Sequence, residues 1–111
     1  MRALAWAPGR IAYALYATMT FLVLGFAVLA ATLILPGVYR RRAAARGVAR
    51  AFLRLAGMPL TVRGMERLAP GQCIVVSNHA SYLDGLVFTA ALPARFSFVI
   101  KREMSAVPLA G

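Results

Sequence analysis

From Ile11 to Leu35 the chain carries 25 residues without a single charge. At about 1.5 Å of rise per residue, such a run can cross a hydrocarbon core of about 30 Å with some tilt. The pattern therefore predicts an apolar membrane helix over 11–35. Trp6, Tyr13 and Tyr16 near one end, and Tyr39 past the other, suit the interfacial belts where amphipathic rings collect. Pro36-Gly37 ends this element. Beyond it the period changes: Arg42, Arg46, Arg50 and Arg54 recur every four residues, while Ala45, Val48, Ala49, Phe52 and Ala56 form a facing apolar stripe. That spacing predicts a basic amphipathic helix over 38–56. Its arginines either snorkel to anionic headgroups at a membrane surface or form the solvated face of an ordinary packed helix. Together the two helices form a hairpin whose first segment spans the bilayer or dips into one leaflet.

Gly57-Met58-Pro59 closes the second helix, and the pattern after it is of another kind. Leu60 to Arg63 alternates weakly, as a short strand would. Cys73 to Ser77 is a continuous apolar run of the sort a buried strand shows, Leu83 to Leu92 is a short helix stopped by Pro93, and Phe96 to Ile100 is a third strand. Strand, helix, strand predicts a βαβ unit in a partly parallel sheet. The expected fold class is α/β: an N-terminal membrane helix pair over residues 1–57, then the first strands and helix of an incomplete αβ domain over 58–111.

Charge sharpens the membrane reading. The 111 residues hold 13 Lys and Arg against 3 Asp and Glu, a net charge of +10, and 12 of the cations are arginine. Arginine favours planar contact with phosphate-like anions, which both nucleic acid and anionic lipid supply. An apolar content of 61% decides for lipid, and the arginines lack the interleaved aromatics of a nucleic-acid surface, so no nucleic-acid partner is expected. A signal peptide is the rival for the N-terminal segment, but the apolar run exceeds the usual h-region of about 7–15 residues. Six arginines between Arg40 and Arg54 follow it, which by the positive-inside rule puts the C-terminal side in the cytoplasm. One cysteine, Cys73, excludes an intramolecular disulfide and a cysteine-based metal cluster; no metal and no bound cofactor are expected.

The candidate chemistry is concentrated in Asn78-His79-Ala80-Ser81-Tyr82-Leu83-Asp84, which holds the only histidine in the chain. Histidine can accept and return a proton near neutrality, and a carboxylate can hold its ring in one tautomer. On a continuous helix His79 and Asp84 would lie about 140° from a common face, so only a strand-to-helix turn can bring them together. A purely structural reading competes: Ser81 and Asp84 satisfy S-x-x-D, the pattern of a capping box, and Asn78 is also a good cap residue.

This stretch resembles the N-H-x-x-x-x-D block of the glycerolipid acyltransferases, the family of 1-acyl-sn-glycerol-3-phosphate acyltransferases. The flanks agree, with an apolar run before the block and Phe98-Val99-Ile100-Lys101-Arg102-Glu103-Met104 after it, similar to the family's lysine-rich segment. The resemblance implies an enzyme of the bacterial inner membrane, working on its cytoplasmic face. It would move a fatty acyl group from acyl-coenzyme A or acyl carrier protein, both substrates rather than cofactors, to a lysophospholipid hydroxyl. It implies His79 as general base and Asp84 as the carboxylate that orients it, with Asn78 and Ser81 as surrounding motif residues. Lys101 and Arg102 are implied as candidate ligands of a substrate phosphate. A lyso-ornithine lipid needs the same base and is the alternative acceptor. A membrane-anchored binding module, in which the block merely caps a helix, is the alternative of another class. The family's later glycine-and-arginine and F-P-E-G-T-R-like blocks do not occur before Gly111, so the expectation is an N-terminal part of an acyltransferase with little activity alone.

Overall fold

The computed structural model describes residues 7–78, 81 and 83–99. Among these residues the chain forms three α-helices, α1 (Ala7–Ile34), α2 (Val38–Leu55) and α3 (Leu83–Ala91), with a 3₁₀ turn at Met65–Arg67 between the second and third. Helix α1 starts four residues ahead of the uncharged run. Pro8 is compatible with a first turn, where its missing N–H would find no partner anyway, and Arg10 interrupts the apolar pattern without interrupting the helix. The break falls where Pro36-Gly37 predicts it. Gly37 sits at φ +83°, a conformation costly for any residue with a Cβ, and that turn lets the chain reverse. Helix α1 has no basic residue in its last turn. Arg41 of α2 supplies one, its Nε donating to the Leu35 carbonyl at 2.9 Å, where the end of α1 leaves oxygens without intrahelical partners.

At its other end α2 closes in a Schellman motif. Met58 N–H donates to the Leu53 carbonyl at 2.8 Å and Gly57 N–H to the Arg54 carbonyl at 3.1 Å, with Gly57 at φ +77°. Helix α2 then packs on both neighbours. Against α1 it runs antiparallel: the Tyr13 hydroxyl donates to the Ala56 carbonyl at 2.7 Å and that of Tyr16 to the Leu55 carbonyl at 3.1 Å. Higher on α1, the rings of Phe21 and Phe52 meet edge to face, centroids 5.6 Å apart and planes at 76°. Two of the tyrosines that the sequence assigns to an interfacial belt thus also satisfy the C-terminal carbonyls of α2.

The buried cluster is Ala49, Phe52, Leu53 and Ala56 of α2 and the turn after it, with Ala90 of α3, and Leu24, Leu60 and Leu86 close around it. Alanine dominates for a geometric reason. Ala90 is 0% exposed, and at such a crossing a small side chain lets two helices approach closely while a larger one would hold them apart. The outward side of α1 has no such cover: Phe26, Leu33 and Ile34 stand well exposed. Pro8–Ile34 is long and apolar enough to cross a membrane.

The expected α/β class is overturned. The described residues contain no strand: 60–63, 73–77 and 96–99 follow irregular, unpaired paths, and the fold they build is helical. Ile74 is 92% exposed and Val76 88%, so the run that reads as a buried strand is neither buried nor in a sheet. An apolar run can be recognised from its residues alone, but a strand exists only through hydrogen bonds to a neighbouring strand. These three segments make no such bonds with one another. A helix closes its bonds within itself, which is why all three predicted helices form.

Candidate functional site

The irregular segment 73–78 leads into the block, and Ser81 opens the turn onto α3. Three local hydrogen bonds shape this entry. Ser81 N–H donates to Asp84 Oδ2 at 2.9 Å, Leu83 N–H to Ser81 Oγ at 3.2 Å, and Asp84 N–H to the Ser81 carbonyl at 3.0 Å. This is the reciprocal logic of a capping box: the hydroxyl takes a donor that the helix cannot use, and the carboxylate three residues on reaches back to the Ser81 amide. Asp84 lies in the first turn of α3, where a negative charge meets the positive end of the helix dipole. Asp84 is half-buried, while Ser81 and Asn78 are exposed; the Asn78 carbonyl accepts from Ser77 Oγ at 3.4 Å.

Of the residues singled out from the sequence, the structure brings Ser81 and Asp84 together. His79, Lys101 and Arg102 lie outside the described residues. The capping geometry and a catalytic role for Asp84 are compatible. A carboxylate carries about four lone-pair sites, so accepting from the Ser81 amide does not by itself exclude a second donor. An aspartate held by a helix terminus is also held in position, which a residue that must orient an imidazole requires. Among the described residues no group of three His, Cys, Asp or Glu side chains is placed to hold a metal ion.

Sequence reasoning does not anticipate what the arginines do. Arg50 Nε donates to the Ala90 carbonyl at 2.7 Å, at the C-terminal end of α3 where a cation is favoured, and Arg42 donates to Ser97 Oγ. Part of the basic row on α2 therefore faces α3 and the chain that leaves it. Its four-residue spacing is visible in the sequence; its partner is not. Arg95 is a second such residue. Its guanidinium donates to the carbonyls of Ala69, Pro70 and Gly71 and stacks over the Phe96 ring, 5.1 Å from the centroid. It thereby ties the chain just before the apolar run to the chain just after α3.

A basic helical hairpin thus supports a helix whose first turn carries Asp84, the aspartate of the N-H-x-x-x-x-D block. Residues 59–111, a little under half of the chain, match the family model described as Acyltransferase, and the match takes in the whole N-H-x-x-x-x-D block. No curated protein and no solved structure matches the chain significantly.

Proposed function

We propose that this chain serves the transfer of a fatty acyl group from acyl-coenzyme A or acyl carrier protein to the free hydroxyl of a lysophospholipid, converting 1-acyl-sn-glycerol-3-phosphate to phosphatidate. In this reading His79 takes the hydroxyl proton as the oxygen attacks the thioester carbonyl. The carbon–sulfur bond then breaks, and the proton passes to the departing thiolate. Asp84, fixed at the start of α3, orients the imidazole. Lys101 and Arg102 supply positive charge for the substrate phosphate. No covalent acyl-enzyme is involved, and Ser81, whose hydroxyl accepts from Leu83 N–H, serves as a cap. The observation that carries the reading is the N-H-x-x-x-x-D block lying within the segment that matches the family.

The hairpin delivers this chemistry to the cytoplasmic face of a bacterial inner membrane. It lies along one leaflet, with the bare side of α1 in the acyl chains and α2 toward the headgroups. The packing supports this placement, because α2 runs back along α1 and would be drawn with its arginines into any bilayer that α1 crossed.

The test is acyl transfer to lysophosphatidate by the polypeptide as its gene encodes it, including whatever follows Gly111. General-base removal typically costs about 10²–10⁴ in rate, so His79→Ala is expected to lose activity by that factor. Full retention by a stably expressed His79→Ala protein would sink the mechanism. A parallel arm with lyso-ornithine lipid as acceptor separates the acceptor question from the chemistry.

A further inference from the structure

Between α2 and the C-terminal half of α3 lies a hollow of about 380 Å³, open on one side. Its walls are of two kinds. Arg42 and Arg46, one turn apart on α2, form one; Phe88, Leu92 and Phe98, with the hydroxyl of Ser97 between, form much of the other. Neither Glu66 nor Asp84, the acids among the described residues, lines it. The Arg46 Nε is buried and has no hydrogen-bond partner among the described residues. A buried donor on a permanently charged group, left without an acceptor, is among the costlier arrangements a protein can hold. Arg42 spends one N–H on Ser97 and keeps others of its five.

We propose that this hollow binds the phosphate of an anionic amphiphile, whose apolar part lies on Phe88, Leu92 and Phe98. Two guanidinium groups on side chains whose Cβ atoms are about 5–6 Å apart call for an anion with several oxygens spread around one centre. A carboxylate, with two oxygens close together, satisfies one guanidinium and leaves the other. The aromatic and aliphatic wall adds a preference that a free inorganic ion cannot use, and the volume falls within the range of ordinary ligand pockets, about 300–1,000 Å³. The site is one to two helical turns along α3 from Asp84. It stands whether or not the chain transfers acyl groups, since none of its residues belongs to the N-H-x-x-x-x-D block.

The experiment is calorimetric titration of the whole chain in nonionic micelles, with dihexyl phosphate as the probe and protein-free micelles as the blank. Inorganic phosphate and hexanoate are titrated alongside. Dihexyl phosphate is expected to bind saturably at one per chain, and Arg42→Gln and Arg46→Gln each to weaken it about tenfold or more, as the loss of a charge-assisted hydrogen bond does. Arg54→Gln removes the same charge from the same helix outside the hollow and is expected to change affinity less than about threefold, the exposed-charge range. Arg46→Lys, which keeps the charge but has no planar fork, is expected to weaken binding as well. It decides the matter alongside Arg42→Gln should circular dichroism show Arg46→Gln to be unfolded. Absence of saturable binding, or an equal loss in Arg54→Gln, overturns the site. Equal affinity for inorganic phosphate overturns the amphiphile, and equal affinity for hexanoate overturns the phosphate.

Discussion

If the hairpin lies along one leaflet, the turn between α1 and α2 never reaches the far side of the membrane. The geometry gives the size of the effect. At about 1.5 Å per residue, α1 is about 42 Å long and α2 about 27 Å, and the contacts from Tyr13–Ala56 to Phe21–Phe52 hold the two side by side. A spanning hairpin would place Arg40, Arg41 and Arg42 at one interface and Arg54 at the other. Arg46 and Arg50 would remain in the hydrocarbon, at roughly 2.5–3.5 kcal/mol each on the insertion scale, or about 5–7 kcal/mol together. Leaving the leaflet placement would therefore be unfavourable by a factor of several thousand or more. The perturbation is Val38→Cys, an exposed position just after the turn, in a Cys73→Ser background. Intact cells expressing this variant are treated with a membrane-impermeant thiol reagent, and so are inverted membrane vesicles. Labelling is expected in the vesicles alone. Labelling of the Val38→Cys protein from outside intact cells would refute the leaflet placement and show that α1 crosses with its C-terminal end outward.

Three further outcomes follow from the packing. Phe52→Ala removes a ring that is 8% exposed and meets Phe21 edge to face; a loss of about 3–5 kcal/mol is expected in urea unfolding followed by circular dichroism in nonionic micelles. Gly57→Ala puts a Cβ at φ +77° in open space, so backbone strain alone sets its cost, about 1–2 kcal/mol in the same assay. Ser81→Ala removes the acceptor of Leu83 N–H and is expected to cost about 0.5–2 kcal/mol in the same unfolding assay, with hydrogen exchange rising first at the start of α3.

The helices were legible because each is punctuated where it stops. Pro36-Gly37, Gly57 and Pro93 are local signals, and helices predicted over 11–35, 38–56 and 83–92 appear as Ala7–Ile34, Val38–Leu55 and Leu83–Ala91. The error at the start of α1 came from treating the edge of the uncharged run as the edge of the helix. The three strands failed for a deeper reason. Their apolar residues describe what a strand would bury, and nothing in Cys73–Ser77 or Phe96–Val99 names the backbone that would pair with it. At the block, the S-x-x-D spacing correctly gave the contact between Ser81 and Asp84, since a capping box is a local structure. The work of Arg42, Arg50 and Arg95 was invisible. Their acceptors lie between 24 and 55 residues away along the chain, and all but the Ser97 hydroxyl are backbone carbonyls, which carry no sequence signal.

With a single cysteine, these 111 residues have no disulfide of their own to pin two distant points of the backbone, yet two are pinned. By gripping residues 69–71, Arg95 turns the intervening chain, apolar run, block and α3 together, into a ring closed by a single guanidinium. Slack inside such a ring is inexpensive: doubling a flexible loop adds only about 0.6 kcal/mol of closure entropy. The length between the clasp points is thus weakly constrained by folding. A clasp of this kind can also be undone without chemistry, by any competing anion strong enough to draw one arginine away.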